Sequence, residues 1–233
     1  MEHGSFKQLT SPLSWLMLFA LLAQLAYWHL ANPGPTLLGG AERSFETAIK
    51  GVAWSFICLA AVPIGVYLIF LKGSWLELGF CLGDWRWGSG AVLVLSLLFL
   101  PFLWLGSADA SLQAAYPWAG SEVGRSLSSL LAWTAIYALF YLSFEVFYRG
   151  FLLKGFASFM GVAGSFWLQV LCSVLIHVGK PLPETLAAIP AGILFGWLTL
   201  RTRSLLYPIL LHLMIGITTD IFSLTRQGLL FTP

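Results

Sequence analysis

The sequence predicts an all-α fold, a polytopic membrane bundle of about seven transmembrane helices with room for an eighth. Three observations predict it. Of 233 residues, 58% are hydrophobic and 9% charged, where a soluble domain carries roughly 25% charged residues. The mean hydropathy is +0.84. Seven stretches approach the about 20 apolar residues that a crossing helix needs: 13–31, 52–71, 89–106, 127–152, 162–179, 184–200 and 204–224.

Each stretch has its own signature. The first, Leu13–Ala31, lacks a small-x-small cleavage site and reads as a retained helix rather than a signal peptide. The second and third contain Pro63 and Pro101, which predict kinks, since membrane helices tolerate proline. The fourth is interrupted by charges, Glu145 and Arg149. Between the fifth and sixth, "VGKPLPE" reads as a tight turn, and "RTRS" joins the sixth to the seventh. The connection "KGSWLELGFCLGDWRWGS" carries tryptophans and charges suited to an interface. The chain reads as one membrane domain, 1–233, with N-terminal helices over 1–126 and a core over 127–224 that carries the polar residues.

Net charge is +2 and there is no basic tract, which argues against nucleic acid as a partner. Cys58, Cys81 and Cys172 form no CxxC and no disulfide framework; they read as packing thiols. With seven spans, Lys7, Lys72, Arg86, Lys154, Arg201 and Arg203 fall on one side, against Arg43, Lys50, Arg125, Lys180 and Arg226 on the other. The short "RTR" loop then favours a cytoplasmic N-terminus.

Few ionisable residues remain at bilayer depth: His29, Glu145, Arg149, His177, His212 and Asp220, with Glu184 at a helix mouth. Near the bilayer centre each costs at least ~2.5–3.5 kcal/mol, so they pair or line a cavity. Glu145 and Arg149 stand four apart on one helix face and can touch. His212, Gly216 and Asp220 share a stripe at i, i+4, i+8. Pro181 and Pro183 end one helix and start the next, placing Glu184 in a first turn where the helix dipole favours a carboxylate. It reads either as a helix-start glutamate or as a site residue beside His177. His29 reads as interfacial.

Two histidines and a glutamate on three helices have the chemistry of a divalent-metal site with an open position, for zinc or another divalent metal. Alternatively, the carboxylate activates a water that a histidine polarises. Glu145 lies nine residues before Lys154 and His212 nine after Arg203, each about 13 Å in at 1.5 Å per residue. His177 lies fifteen residues into its span, about two turns deeper on the same arithmetic. Convergence of all three needs tilt or an interfacial segment around "FASFMG".

At these residues the chain resembles the CPBP family of intramembrane proteins, the CAAX prenyl proteases and bacteriocin-processing enzymes also called Abi. The family's EExxxR motif appears as Phe144-Glu145-Val146-Phe147-Tyr148-Arg149, its FxxxH motif as Ser173-Val174-Leu175-Ile176-His177, and its HxxxN motif as His212-Leu213-Met214-Ile215-Gly216. Order and rough spacing agree over about 127–224. The departures are Phe144 for the leading glutamate, Ser173 for the phenylalanine and Gly216 for the asparagine, which mark a divergent branch.

The resemblance implies an intramembrane endopeptidase of metalloprotease or glutamate-dependent type, in which Glu145 or Glu184 deprotonates a water. His177 and His212 would bind a metal or position that water. Arg149 would hold and orient Glu145, and Asp220 would fix His212 or a neighbour from behind. The implied partners are a peptide or protein substrate at the membrane and the lipid bilayer, in a multi-pass protein of a bacterial inner membrane. Two other readings compete: a non-catalytic scaffold or immunity-type protein of the same fold, which loss of the leading glutamate favours, and a small-solute transporter, which expects inverted repeats that the sequence does not show.

Overall fold

The computed structural model describes residues 11–31 and 43–231. Lys7, counted in the charge balance, and most of the "ANPGPTLLGGAERS" connection lie outside them. Among the described residues seven helices are long and apolar enough to span a membrane: α1 (Pro12–Leu30), α2 (Phe45–Ile69), α3 (Trp85–Gly106), α4 (Leu127–Gly155), α5 (Ala157–Leu175), α6 (Leu182–Thr202) and α7 (Leu206–Gln227). No strand occurs among the described residues. The protein is an integral, multi-pass membrane protein.

The helix starts are written locally. Ser11 accepts from the Ser14 amide with Pro12 at the first helical position of α1. Ser44 and Ser126 open α2 and α4 with reciprocal caps to Thr47 and Ser129. Each cap satisfies amides that the first turn leaves without partners. Proline acts differently at the two expected kinks. Pro63 lacks an amide hydrogen and crowds the preceding turn, and α2 widens to a π-helical stretch over Ile57–Ala61 immediately before it. Pro101 sits inside α3 without a break in the helix.

Two groups of contacts define the two ends of the bundle. At one end Arg201 pairs with Asp84 at 2.9 Å, Lys154 Nζ donates to the Arg203 carbonyl at 3.2 Å, and the Tyr207 hydroxyl donates to the Leu82 carbonyl at 2.6 Å. At the other, the Ser223 hydroxyl donates to the Tyr116 carbonyl at 2.7 Å and the Phe231 amide donates to the Gly124 carbonyl at 2.7 Å.

Helix α4 is the centre of the molecule. From Phe140 through Leu153 nearly every side chain is buried, and from Val146 to Gly155 the helix is π-helical. Widened turns of this kind recur at functional sites. After Phe156 the chain makes one short helical turn and breaks at Gly161, whose φ of 74° and ψ of 164° only glycine adopts readily. The regular part of α5, residues 162–175, then runs about 21 Å at 1.5 Å per residue, short of the ~30 Å hydrocarbon core. The break falls in the "FASFMG" stretch, where tilt or an interfacial segment was the expectation.

Candidate functional site

Glu145 ends the α-helical part of α4 and is fully buried. Arg149, one turn on, places Nε 3.2 Å from Oε2 and Nη1 3.3 Å from Oε1 of Glu145. The Nε contact is an ion pair whose angle is too bent for a hydrogen bond. The guanidinium also lies 5.2 Å from the Phe195 ring centroid, an attraction that grows when the cation is desolvated. The pair is thus internally compensated, as a buried charge must be.

The second partner of Glu145 comes from α7. His212 Nδ1 is 2.6 Å from Glu145 Oε1. With the Nδ1 proton donated to the carboxylate, Nε2 is left as an unprotonated acceptor. The His212 ring packs 4.3 Å from Tyr141 and 5.4 Å, edge to face, from Phe144.

His177 follows α5, in the turn over residues 176–180. Its Nδ1 is 2.5 Å from the Ser173 carbonyl, so this imidazole also turns Nε2 outward. That nitrogen is 3.8 Å from Glu184 Oε1, and Lys180 Nζ is 2.7 Å from the same oxygen. Burial and the neighbouring Lys180 ammonium push the His177 pKa down to about 3, so the ring is neutral at physiological pH. Burial pulls Lys180 down too, but the Glu184 carboxylate outweighs it and holds the ammonium above its ordinary value.

These groups line one cavity of about 470 Å³, a size suited to a small ligand or a short stretch of chain. Phe144, Tyr141 and His212 form its inner wall; His177, Lys180 and Glu184 line it from the α5–α6 turn; Arg43, Tyr116 and Trp118 close it from the connections. It therefore lies toward the end of the bundle opposite the "RTRS" turn. Glu145 and Arg149 do not reach it. They sit behind His212, while Phe144, in the motif's leading position, faces the cavity.

Sequence reasoning expected Glu145, His177 and His212 to converge. Phe144 touches both imidazoles, with centroids 5.9 Å from His177 and 5.4 Å from His212. The contact with Glu145 is made by His212 alone. Glu184 is a first-turn carboxylate of α6, and its Oε1 lies 3.8 Å from His177 Nε2. Of the two partners expected for Asp220, it has the neighbour: Oδ2 accepts from Trp133 Nε1 at 2.7 Å, and His212 is two turns away. His29 is exposed in the last turn of α1.

The metal expectation does not fit this donor set. Among the described residues no group of three or more His, Cys, Asp or Glu side chains is placed to hold a metal ion. Phe144, whose ring packs 5.9 Å from His177 and 5.4 Å from His212, offers no donor to either.

Sequence reasoning missed Tyr141, Tyr116 and Lys180. Tyr141 carried a usable signal, since it lies four residues before Glu145 and so shares its face. Tyr116 and Lys180 sit in connections, and only the tertiary structure brings them to the cavity.

No curated protein and no solved structure matches the chain. Residues 126–218 match a family model described as type II CAAX prenyl endopeptidase Rce1-like. That segment contains Glu145, Arg149, His177 and His212, in the order on which the CPBP resemblance rested, and Glu184. Over residues 126–218 the chain is therefore similar to the Rce1-like type II CAAX prenyl endopeptidases, in line with its resemblance to the CPBP group.

Proposed function

We propose that the protein is an intramembrane endopeptidase in which His212 is the general base and Glu145 its positioning residue. The single observation that carries this reading is the 2.6 Å contact between Glu145 Oε1 and His212 Nδ1 on the wall of the cavity. A carboxylate at Nδ1 fixes the tautomer and steadies the imidazolium that forms when Nε2 takes a proton. Arg149 keeps the carboxylate in place through the ion pair.

Water is the nucleophile. Its oxygen attacks the scissile carbonyl carbon while one of its protons moves to His212 Nε2. As the tetrahedral species collapses, the C–N bond breaks and the same proton passes to the departing nitrogen. The products are a new carboxyl terminus and a new amino terminus. His177, neutral and tethered to the Ser173 carbonyl, accepts a hydrogen bond from the water and orients it. Glu184, steadied by Lys180, accepts the amide hydrogen of the incoming chain. No step needs a metal.

With the "RTRS" turn in the cytoplasm, the cavity opens toward the opposite face. Its walls are aromatic and its mouth carries Arg43 and Lys180, which suits a membrane-anchored peptide with apolar side chains.

The test is a mixture of membrane-anchored peptides, half bearing an S-farnesyl cysteine, offered to the protein in liposomes and read by mass spectrometry. The wild type should cleave a subset, and His212→Gln should be slower by about 10²–10⁴-fold, the usual contribution of a general base. No cleavage by the wild type would favour the second reading, a non-catalytic protein of the same fold. Phe144, where the family motif has its leading glutamate, is the observation that supports that alternative.

A further inference from the structure

We infer that Tyr141 is a further catalytic residue, its hydroxyl donating to the oxygen of the scissile carbonyl as negative charge develops there. The inference rests on the peptidase reading and adds a group that neither the motifs nor the family match marks.

The first observation is a void and its occupant. A Cβ added at Gly216 would collide with the Tyr141 hydroxyl and the end of its ring. Gly216 is the motif position one turn after His212, so the space its missing side chain vacates beside the imidazole is filled by a phenol from α4. The second observation is place. Tyr141 is 4% exposed, yet it lines the cavity, and its ring packs 4.3 Å from that of His212. The third is rigidity. Trp133, Tyr137 and Tyr141 follow one another at four-residue steps, with ring centroids 4.6 and 4.5 Å apart, and Asp220 anchors the first through the Trp133 indole.

A phenol so held is a fixed donor in a nearly dry wall, next to the base. Donors aimed at developing charge contribute most where they need not reorganise. Among the uncharged side chains that line the cavity, the inner wall has no other hydroxyl directly against His212. In the hydrolysis above, the carbonyl π electrons move onto oxygen as water adds. Tyr141 O–H donates to that oxygen without transferring its proton, and withdraws when the C–N bond breaks.

Tyr141→Phe tests this, because it keeps the ring against His212 and removes only the oxygen. On whichever library peptide the wild type cleaves, kcat should fall about 10²–10³-fold, the usual effect of losing one such donor, with KM near the wild-type value and the unfolding midpoint unchanged. A second pair of variants separates chemistry from packing. Tyr141→Ala opens the void, and adding Gly216→Asn returns a donor amide to it, which should recover at least about tenfold of the lost kcat. If His212→Gln is inactive while Tyr141→Phe keeps a kcat within twofold of wild type, the role of Tyr141 is overturned and the peptidase reading stands. If His212→Gln keeps its rate, the assignment of His212 as the base fails; if the wild type cleaves nothing, the peptidase reading itself fails. A rise in KM with kcat intact would make Tyr141 a binding residue and also overturn the inference.

Discussion

Glu145 Oε1 lies 2.6 Å from His212 Nδ1, across 67 residues of sequence. The same carboxylate also pairs with Arg149, 3.2 Å away and one turn along its own helix. One buried carboxylate therefore joins α4 to α7 and neutralises a guanidinium, while none of its atoms faces the cavity.

The buried pair predicts unequal mutants. Arg149→Met leaves Glu145 buried without its cation and should cost about 3–5 kcal/mol, as breaking a buried pair does. Glu145→Gln/Arg149→Met removes both charges and should be less destabilised than Arg149→Met alone. Urea or thermal unfolding in detergent measures the difference, and a double mutant worse than the single one would show that the charges are not coupled.

His177 predicts a dependence of stability on pH. Its folded pKa of about 3 lies below the ordinary value of 6.5, from burial first and Lys180 second. Between those values the unfolded chain binds a proton that the folded chain does not, so stability falls as pH drops from 6.5 toward 3. The unfolding midpoint should decline on going from pH 7.5 to 5, and decline less in His177→Gln. Equal slopes in the two proteins would place the titration elsewhere.

Gly161 predicts a link between backbone and site. A Cβ there meets nothing within 4 Å, but φ is 74°, so Gly161→Ala should cost about 1–3 kcal/mol through strain alone. Straightening the break would also carry the His177 turn away from Phe144. Cleavage by Gly161→Ala should drop by more than its loss of folded protein explains, as a rate normalised to the folded fraction would reveal.

Phe144 predicts how a metal site would be made. Its ring packs against both His177 and His212, so Phe144→Glu should bring a third donor to two imidazoles whose Nδ1 atoms are already tied, the arrangement that zinc sites favour. Calorimetry should find zinc bound at least about tenfold more tightly by Phe144→Glu than by the wild type, on the scale by which supporting partners alter metal affinity. Equal affinities would contradict this placement of the ring.

The spans were legible because a bilayer imposes one length and one composition on every crossing, and the polar residues stood out against that background. Arg149 and Glu145 were legible as a pair because four residues is one helical turn. What composition and spacing could not convey was which side chain faces the cavity. Phe144 and Glu145 are adjacent and so point about 100° apart, and only the packing of α7 decides that Glu145 meets His212 from behind. Trp133 as the partner of Asp220, 87 residues away, is invisible for the same reason. The depth mismatch of His177 signalled tilt or an interfacial segment around "FASFMG", but which residue breaks the helix, Gly161, was not legible from it.

The most direct test of the account is the pH dependence of kcat/KM for one cleaved peptide, in wild type and Glu145→Gln. The account predicts a wild-type rate whose pH profile has a limb set by the His212 imidazole, and a Glu145→Gln rate that is lower throughout with that limb displaced, because the carboxylate no longer steadies the imidazolium. An unchanged profile in Glu145→Gln would contradict it.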